Sequence, residues 1–428
     1  MRTRPRTLKT RPRTLKTLLL AVPLALAVAA CSGGSSGPSN ADAKIVNSGE
    51  PIVIGATLSL TGSLDVLGQP LQAGYQQEIA DVNAAGGIAI GTAKEKLRLV
   101  VLDNGGDPST AASQAAELVR QDHAVALLGS ATAPIVAATA LTAEQLRVPF
   151  VTSLMPVEAF ASGDKTGWTY SWDLFYDEQQ EAADAAKALA SAAGNKSAAG
   201  NKKVVLFTDS EPGSVVERPL YKAAFKADGL DVVGDYIFPA GTTDFSSFIA
   251  NAKAKGAQLV AGQLDQAGGV ALWKQLKSAG FHPRAAFLDE APDAGDWWRS
   301  VGSLAQDTLS EGYWSPGQAP AAQLAAITPT LGKKYAGNPD YATAAVAYAV
   351  AQVLTGALAR AGSTNSGRLT TAISRTDAQT TAGLVRFNQT THTATTPYYV
   401  TQWQSGKLVQ VRPLSPGATL RVPTAGLG

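Results

Sequence analysis

From Pro51 onward, β-branched apolar runs alternate with stretches whose apolar residues recur at helical spacing, and this rhythm limits the fold more than any other feature. The run at 51–60 reads as a buried parallel strand. A helix is predicted over 71–82, stopped by Asn83-Ala84-Ala85-Gly86-Gly87. A strand follows over 97–102, then a helix opened by Asp107-Pro108-Ser109-Thr110, with an acid and a proline in its first turn. Strands at 124–128 and 149–153 flank a further helix ending near Gln145. Strands joined by helices of this length are βαβ units, and βαβ units build a doubly wound parallel sheet.

The rhythm then repeats. Strands are predicted at 203–208, 231–238, 258–261 and 285–288, with helices at 215–227, 245–254 and 270–278 between them. The break between the two sets falls near 155–180. Two such halves predict an α/β protein of two lobes. Helices over 318–335 and 340–360 come next, then strands at 384–387, 398–404 and 408–411. The 344–358 segment is apolar all round but broken by Gln352, which predicts a buried helix and not a membrane span. Open α/β sheets bind ligands beyond the carboxyl ends of their strands. The loops expected to line a cleft are therefore 61–66, 103–107, 129–133, 153–156, 209–213, 262–267 and 289–293.

Ahead of this body the composition changes. Seven Lys or Arg and no acid fall within residues 1–30, which include the duplicated Arg-Pro-Arg-Thr-Leu-Lys-Thr at 4–10 and 11–17. An apolar run over 18–30 is too short to span a bilayer and suits a signal sequence. Residues 32–50 are rich in Gly and Ser and read as a flexible tether, with a random-coil reach of roughly 25 Å. Without the first thirty residues the chain has 29 basic and 34 acidic residues (36 − 7 against 34), so its formal charge passes from +2 to −5. A mildly acidic body is unsuited to nucleic acid, which needs a basic surface.

Catalytic patterns are missing. The three histidines, His123, His282 and His392, are far apart with no acid or His at metal-ligand spacing, and a single Cys excludes a Cys-based metal site or an intrachain disulfide. Ser162-Gly163-Asp164-Lys165 and Lys165-Thr166-Gly167 imitate two acyltransferase motifs, but they overlap in one loop where the chemistry needs a helix and a distant strand. Gly362–Arg368 has the glycine spacing of a P-loop without its Lys-Ser/Thr. Of the adjacent pair Trp297 and Trp298, at most one is expected to line a cleft. No catalytic residue, metal or cofactor is expected.

Two resemblances carry the reading further. Val28-Ala29-Ala30-Cys31, at the end of the apolar run, resembles a bacterial lipobox, in which the cysteine thiol carries lipid and becomes the first residue of the mature chain. The body resembles the leucine/isoleucine/valine-binding type of ABC-importer solute-binding protein. The resemblance rests on Ile54-Gly55, Leu60-Thr61-Gly62, Asp81-Val82-Asn83-Ala84-Ala85-Gly86-Gly87-Ile88, Asp107-Pro108, Gly129-Ser130-Ala131-Thr132, Val148-Pro149-Phe150-Val151, Gly241-Thr242-Thr243-Asp244-Phe245-Ser246 and Ser310-Glu311-Gly312, in that order.

That family implies two doubly wound parallel-sheet lobes joined by a three-crossing hinge, the type I periplasmic binding fold. On this reading 1–30 is the leader, 31–50 the lipidated tether, 51–172 with 314–383 the first lobe, 173–313 with 384–413 the second, and 414–428 a tail. The family's ammonium-binding acid falls on Glu290. Its serine position falls on Ala133, with Thr132 beside it, its Ala-Thr pair on Met155-Pro156, and its aromatic positions on Leu67, Pro212 and Gln263. These departures remove the grip on an α-carboxylate. Asp65, Ser130, Ala131, Thr132, Leu154, Met155, Phe175, Tyr176, Gln263, Asp265 and Glu290 are the expected ligand-binding residues, with Cys31 the lipidation site. The implied function is a monomeric, non-enzymatic lipoprotein on the outer face of the cell membrane. It would carry an amino acid, amide or amine-bearing solute to an ABC permease. The alternative is a ligand-sensing or envelope-assembly lipoprotein of the same fold.

Overall fold

The computed structural model describes residues 49–194, 201–293, 297–317, 319–335, 337–414 and 417–427. The leader, Cys31 and nearly all of the tether lie outside the described residues.

The first run of elements is β1 (Ile52–Leu58), α1 (Asp65–Ala84), the hairpin β2 (Ile88–Ile90) and β3 (Ala93–Glu95), β4 (Leu97–Asp103), α2 (Pro108–Arg120), β5 (Ala126–Leu128), α3 (Ala133–Leu146), β6 (Phe150–Thr152), α4 (Val157–Ser162) and β7 (Ser171–Phe175). The second is α5 (Glu178–Ala193), β8 (Lys203–Asp209), α6 (Pro212–Ala227), β9 (Asp231–Phe238), α7 (Ser246–Ala254), β10 (Leu259–Leu264), α8 (Gln266–Ser278), β11 (Ala285–Glu290), α9 (Trp297–Val301) and β12 (Leu309–Gly312). The chain ends with α10 (Ala321–Ile327), α11 (Lys333–Tyr335), α12 (Asp340–Ala361), α13 (Ser366–Ser374), the hairpin β13 (Asp377–Thr380) and β14 (Gly383–Arg386), β15 (Thr393–Thr395), β16 (Tyr399–Gln404) and β17 (Lys407–Arg412).

Two sheets result. The first has the order β15-β7-β6-β5-β1-β4, and all its pairs are parallel. The second has the order β17-β16-β12-β11-β10-β8-β9, parallel except where β16 and β17 add an antiparallel edge. In each, the chain winds one way from a central strand (β1 or β8) and then the other. The switch points lie between β1 and β5 and between β8 and β10, where such sheets open a crevice.

The first lobe also includes the buried helix α12, packed on α1. A Cβ on Gly74 would stand 2.2 Å from the Ala344 carbonyl oxygen, so only glycine lets the two helices approach this closely. Tyr348 and Thr355 of α12 donate to Asp81 and Glu78 of α1 at 2.8 and 2.7 Å. Helix α12 is apolar and long enough to cross a membrane, but 78% of its most apolar stretch is inside the protein, as expected for a core helix.

Three expectations are corrected. Helix α1 starts at Asp65, not at 71, and runs through Pro70, so Asp65 is a first-turn helix acid and not a loop residue. The stretch near 155–180 hides a further strand, β7, which continues the first sheet through Phe175. Strand β15 also joins that sheet, so the chain changes lobes after Phe175 and after Thr395, not at 173 and 384. The tail is also docked: Leu427 is fully buried in the second lobe's core, and Gly426 N donates to Gln306 O at 3.0 Å.

Candidate functional site

The carboxyl edge of the second lobe is a row of acids. Strand β8 ends at Asp209, β10 is followed by Asp265, β11 ends at Glu290, and Glu311 is the penultimate residue of β12. Glu290 has a left-handed φ of 60°. Water reaches its side chain although protein surrounds it. That enclosure, then repulsion from Glu217, Glu311, Asp209 and Asp265, pushes its carboxyl well above the ordinary range. The first lobe's edge holds Asp103, which accepts from Leu60 N and Thr61 at 2.9 and 2.7 Å, and a network of neutral groups. Ser59 donates to Asn104 at 2.8 Å, Asn104 to Thr57 at 3.1 Å, and Asn104 reaches Ser130 at 3.5 Å. Ser130 is thereby part of a buried polar network just below the rim.

Thr132 and Leu154, beyond the carboxyl ends of β5 and β6, also have positive φ, 69° and 59°. Thr132 combines its φ with a ψ of 144°, a region close to one that is essentially glycine's alone. Such strain collects at sites the surrounding structure over-determines. Ala131 is fully buried beside Thr132, and Leu154 is nearly so. Met155 is corrected: it is buried in the apolar cluster that includes Phe160 and Trp168, which gives its side chain a core role. Asp265 caps α8, accepting from Gly268 N at 2.6 Å. Gln263 donates its amide to Glu217.

Each of the three crossings carries a tyrosine. Tyr176 follows β7, Tyr313 follows β12, and Tyr398 precedes β16. Phe175 stacks obliquely on Tyr176 at 4.3 Å and on Tyr313 at 5.2 Å, and Tyr176 meets Tyr398 edge to face at 5.2 Å. All four rings are buried. Phe175 and Tyr176 thus join the two lobes at the base of the carboxyl edges.

Sequence reasoning missed the acids behind this edge. Glu181 stands on the buried face of α5 with Ala185, Ala188, Leu189 and Ala192, where the helical spacing calls for an apolar residue. That pattern was the available signal. Glu217 of α6 and Asp289 of β11 complete a group whose carboxylate oxygens lie within 4.8 Å of one another. Tyr221 donates to Glu181 at 2.8 Å. Burial first, and mutual repulsion second, raises Glu181 and Asp289 well above the ordinary range. Burial likewise pushes Glu217 up to about 7, opposed by the Gln263 amide.

The other singled-out residues lie elsewhere. His282 and His392 bond the backbone oxygens of Leu427 and Ser171, and His392 stacks on Trp172 at 3.7 Å. Trp297 packs on Trp273, and Trp298 on Trp403. A depression of about 430 Å3 between α7 and α8, lined by Ser246, Ile249, Lys253 and Gln275, is formed by helix faces and not by the strand ends.

Two doubly wound lobes, joined by three crossings that meet at their carboxyl edges, define the type I periplasmic binding fold. The chain belongs to the periplasmic binding protein family, whose model matches residues 51–407. It is similar to Leu/Ile/Val-binding protein homolog 8 of Brucella abortus, with 26% identity over 382 residues, 85% of this chain and 90% of that one. Among solved structures, the branched-chain amino acid transporter substrate-binding protein LivJ from Streptococcus pneumoniae, in complex with isoleucine, aligns with a TM-score of 0.72 at 22% identity. It covers 87% of this chain and 100% of its own. A solute-binding protein of an ABC transporter from R. palustris, in complex with benzoate, aligns with a TM-score of 0.70 at 17% identity, covering 85% and 96%. At these identities the two structures establish the fold alone.

Proposed function

We propose that this chain is a non-enzymatic receptor that captures a small polar organic solute between its lobes and hands it to an ABC permease, held to the outer face of the membrane by lipid on Cys31. The row of acids ending the parallel strands of the second lobe supports this reading most strongly. Glu290 is the exposed member of that row, and closure over a ligand removes its carboxylate from water, which is costly unless the ligand supplies a cation or strong donors. The solute therefore carries an amine, amide or similar group directed at Glu290. Thr132, Leu154 and Ser130 supply the opposing wall, and Phe175 and Tyr176 close the base.

The pneumococcal relative was solved with isoleucine and the R. palustris relative with benzoate. Of these two chemistries the acidic edge favours the ammonium and opposes the anion. The ligand drives closure only through its better fit to the closed state. A thermal-shift screen of the purified protein against amino acids, short amides, polyamines, sugars and benzoate tests the reading. A solute at a hundred times its Kd adds about 2.7 kcal/mol. The expected hits bear nitrogen donors; stabilisation by benzoate alone would overturn the ligand class.

A further inference from the structure

The second lobe encloses four carboxyl groups that no basic side chain pairs with among the described residues. Glu181 is 0%, Asp289 2%, Glu311 5% and Glu217 7% exposed. Glu181, Glu217 and Asp289 bring carboxylate oxygens within 4.8 Å of one another, and Glu311 stands on the strand paired with that of Asp289. Among the described residues no Lys, Arg or His forms a salt bridge to any of them. Ionised carboxylates enclosed in this way without a counter-charge are strongly disfavoured.

Three further oxygens around the group are unsatisfied. Glu181 Oε2, the Gln263 amide oxygen and the Tyr398 hydroxyl are buried and have no hydrogen-bond partner. Gln263 is 1% exposed, and its amide nitrogen is held by Glu217, which leaves its carbonyl oxygen beside the same carboxylate. Tyr398, also 1% exposed, packs edge to face on Tyr176. The charge its hydroxyl feels most is that of Glu181, followed by Asp289 and Glu311. A wholly proton-bridged acid cluster leaves such acceptors unmatched, whereas a cation takes up oxygens of both kinds.

We propose that Glu181, Glu217 and Asp289, with the Gln263 amide oxygen and Glu311, form a binding site for one divalent cation of the oxygen-ligated class, seated inside the second lobe behind Glu290. Separations of up to 4.8 Å between the three carboxylate oxygens fit opposite sides of a shell of roughly 2.4 Å, the Ca2+ distance. Mixed carboxylate and amide oxygens are the ligands this ion takes. The ion neutralises half of the four carboxylates, and the group's position between α5, α6, β11 and β12 means that it would fasten two helices to the sheet. None of this depends on which solute the cleft takes.

Calcium titrated calorimetrically into the purified, chelator-treated protein tests the proposal. A second readout is Tb3+ emission sensitised by the nearby Tyr176, Tyr221 and Tyr398. The expected result is one ion per chain, bound roughly a hundredfold more weakly after Glu181→Gln with Asp289→Asn, and with little change after Glu290→Gln. A melting curve confirms that the double variant is folded. No ion bound to the wild-type chain, or unchanged binding in the folded double variant, would overturn the site. Loss on Glu290→Gln alone would place the ion in the cleft and overturn it equally. Failure of the solute screen with Ca2+ still bound would count against the cleft reading only.

Discussion

Asp289 and Glu290 are neighbours at the end of β11 and belong to opposite environments. Asp289 is 2% exposed within the acid cluster, whereas Glu290, at φ 60°, reaches water at the rim. The Glu290 N–H donates to Asp289 Oδ1 at 3.0 Å, tying the turn to the buried acid. Alternation along a strand separates consecutive side chains. Here one acid faces the interior and the next one water.

Glu290→Ala is expected to weaken binding of an amine-bearing solute by roughly a hundred- to several thousand-fold, the cost of breaking a buried charge pair. Glu290→Gln should do the same for a cationic group and much less for a neutral donor. Calorimetry with the screened solute measures both, and wild-type affinity in Glu290→Ala would remove Glu290 from the site.

The backbone at Thr132 predicts a stability effect. Glycine relieves its left-handed strain but loses more freedom on folding, whereas alanine retains the strain. Thr132→Gly should therefore melt above Thr132→Ala by the equivalent of about 1–2 kcal/mol. Equal melting temperatures would mean that the position is not strained.

Glu78, buried between α1 and α12, predicts a pH effect. Burial, aided by repulsion from Asp81, raises its carboxyl from 4.5 to about 7, against the hydrogen bond from Thr355. The native chain thus holds a proton that the unfolded chain releases above 4.5. This stability is fully present below that value and is lost as pH rises through the folded pKa. Glu78→Gln should melt above wild type at about pH 8 and no higher at about pH 4. A pH-independent difference between the two proteins would contradict this assignment.

Cys31→Ser should abolish lipid labelling and release the protein from membranes, because a single thiol carries the anchor. Retention at the membrane with continued palmitate incorporation would exclude the lipoprotein reading.

The fold was legible where burial imposes a period. The strands at 203–208, 231–238 and 285–288 and the apolar helix after 340 are found close to their predicted places. Strand β15 was not legible: Thr393-Ala394-Thr395 is too short for a pattern, and only its pairing with Asp173, Leu174 and Phe175 makes it a strand. Strand β7 was masked by its Trp and by buried Asp173, a polar residue at a core position. The positions of Glu290, the last residue of β11, and Tyr176, just after β7, were legible because strand ends can be read from the sequence. Those of Glu181, Glu217 and Glu311 were not, because their encounter depends on how α5 and α6 lie over the second sheet.

X-ray scattering with and without the screened solute tests capture between the lobes most directly. A ligand held by both lobes favours the closed state, so binding is predicted to lower the radius of gyration. Saturating, tight binding with an unchanged radius of gyration would contradict the account.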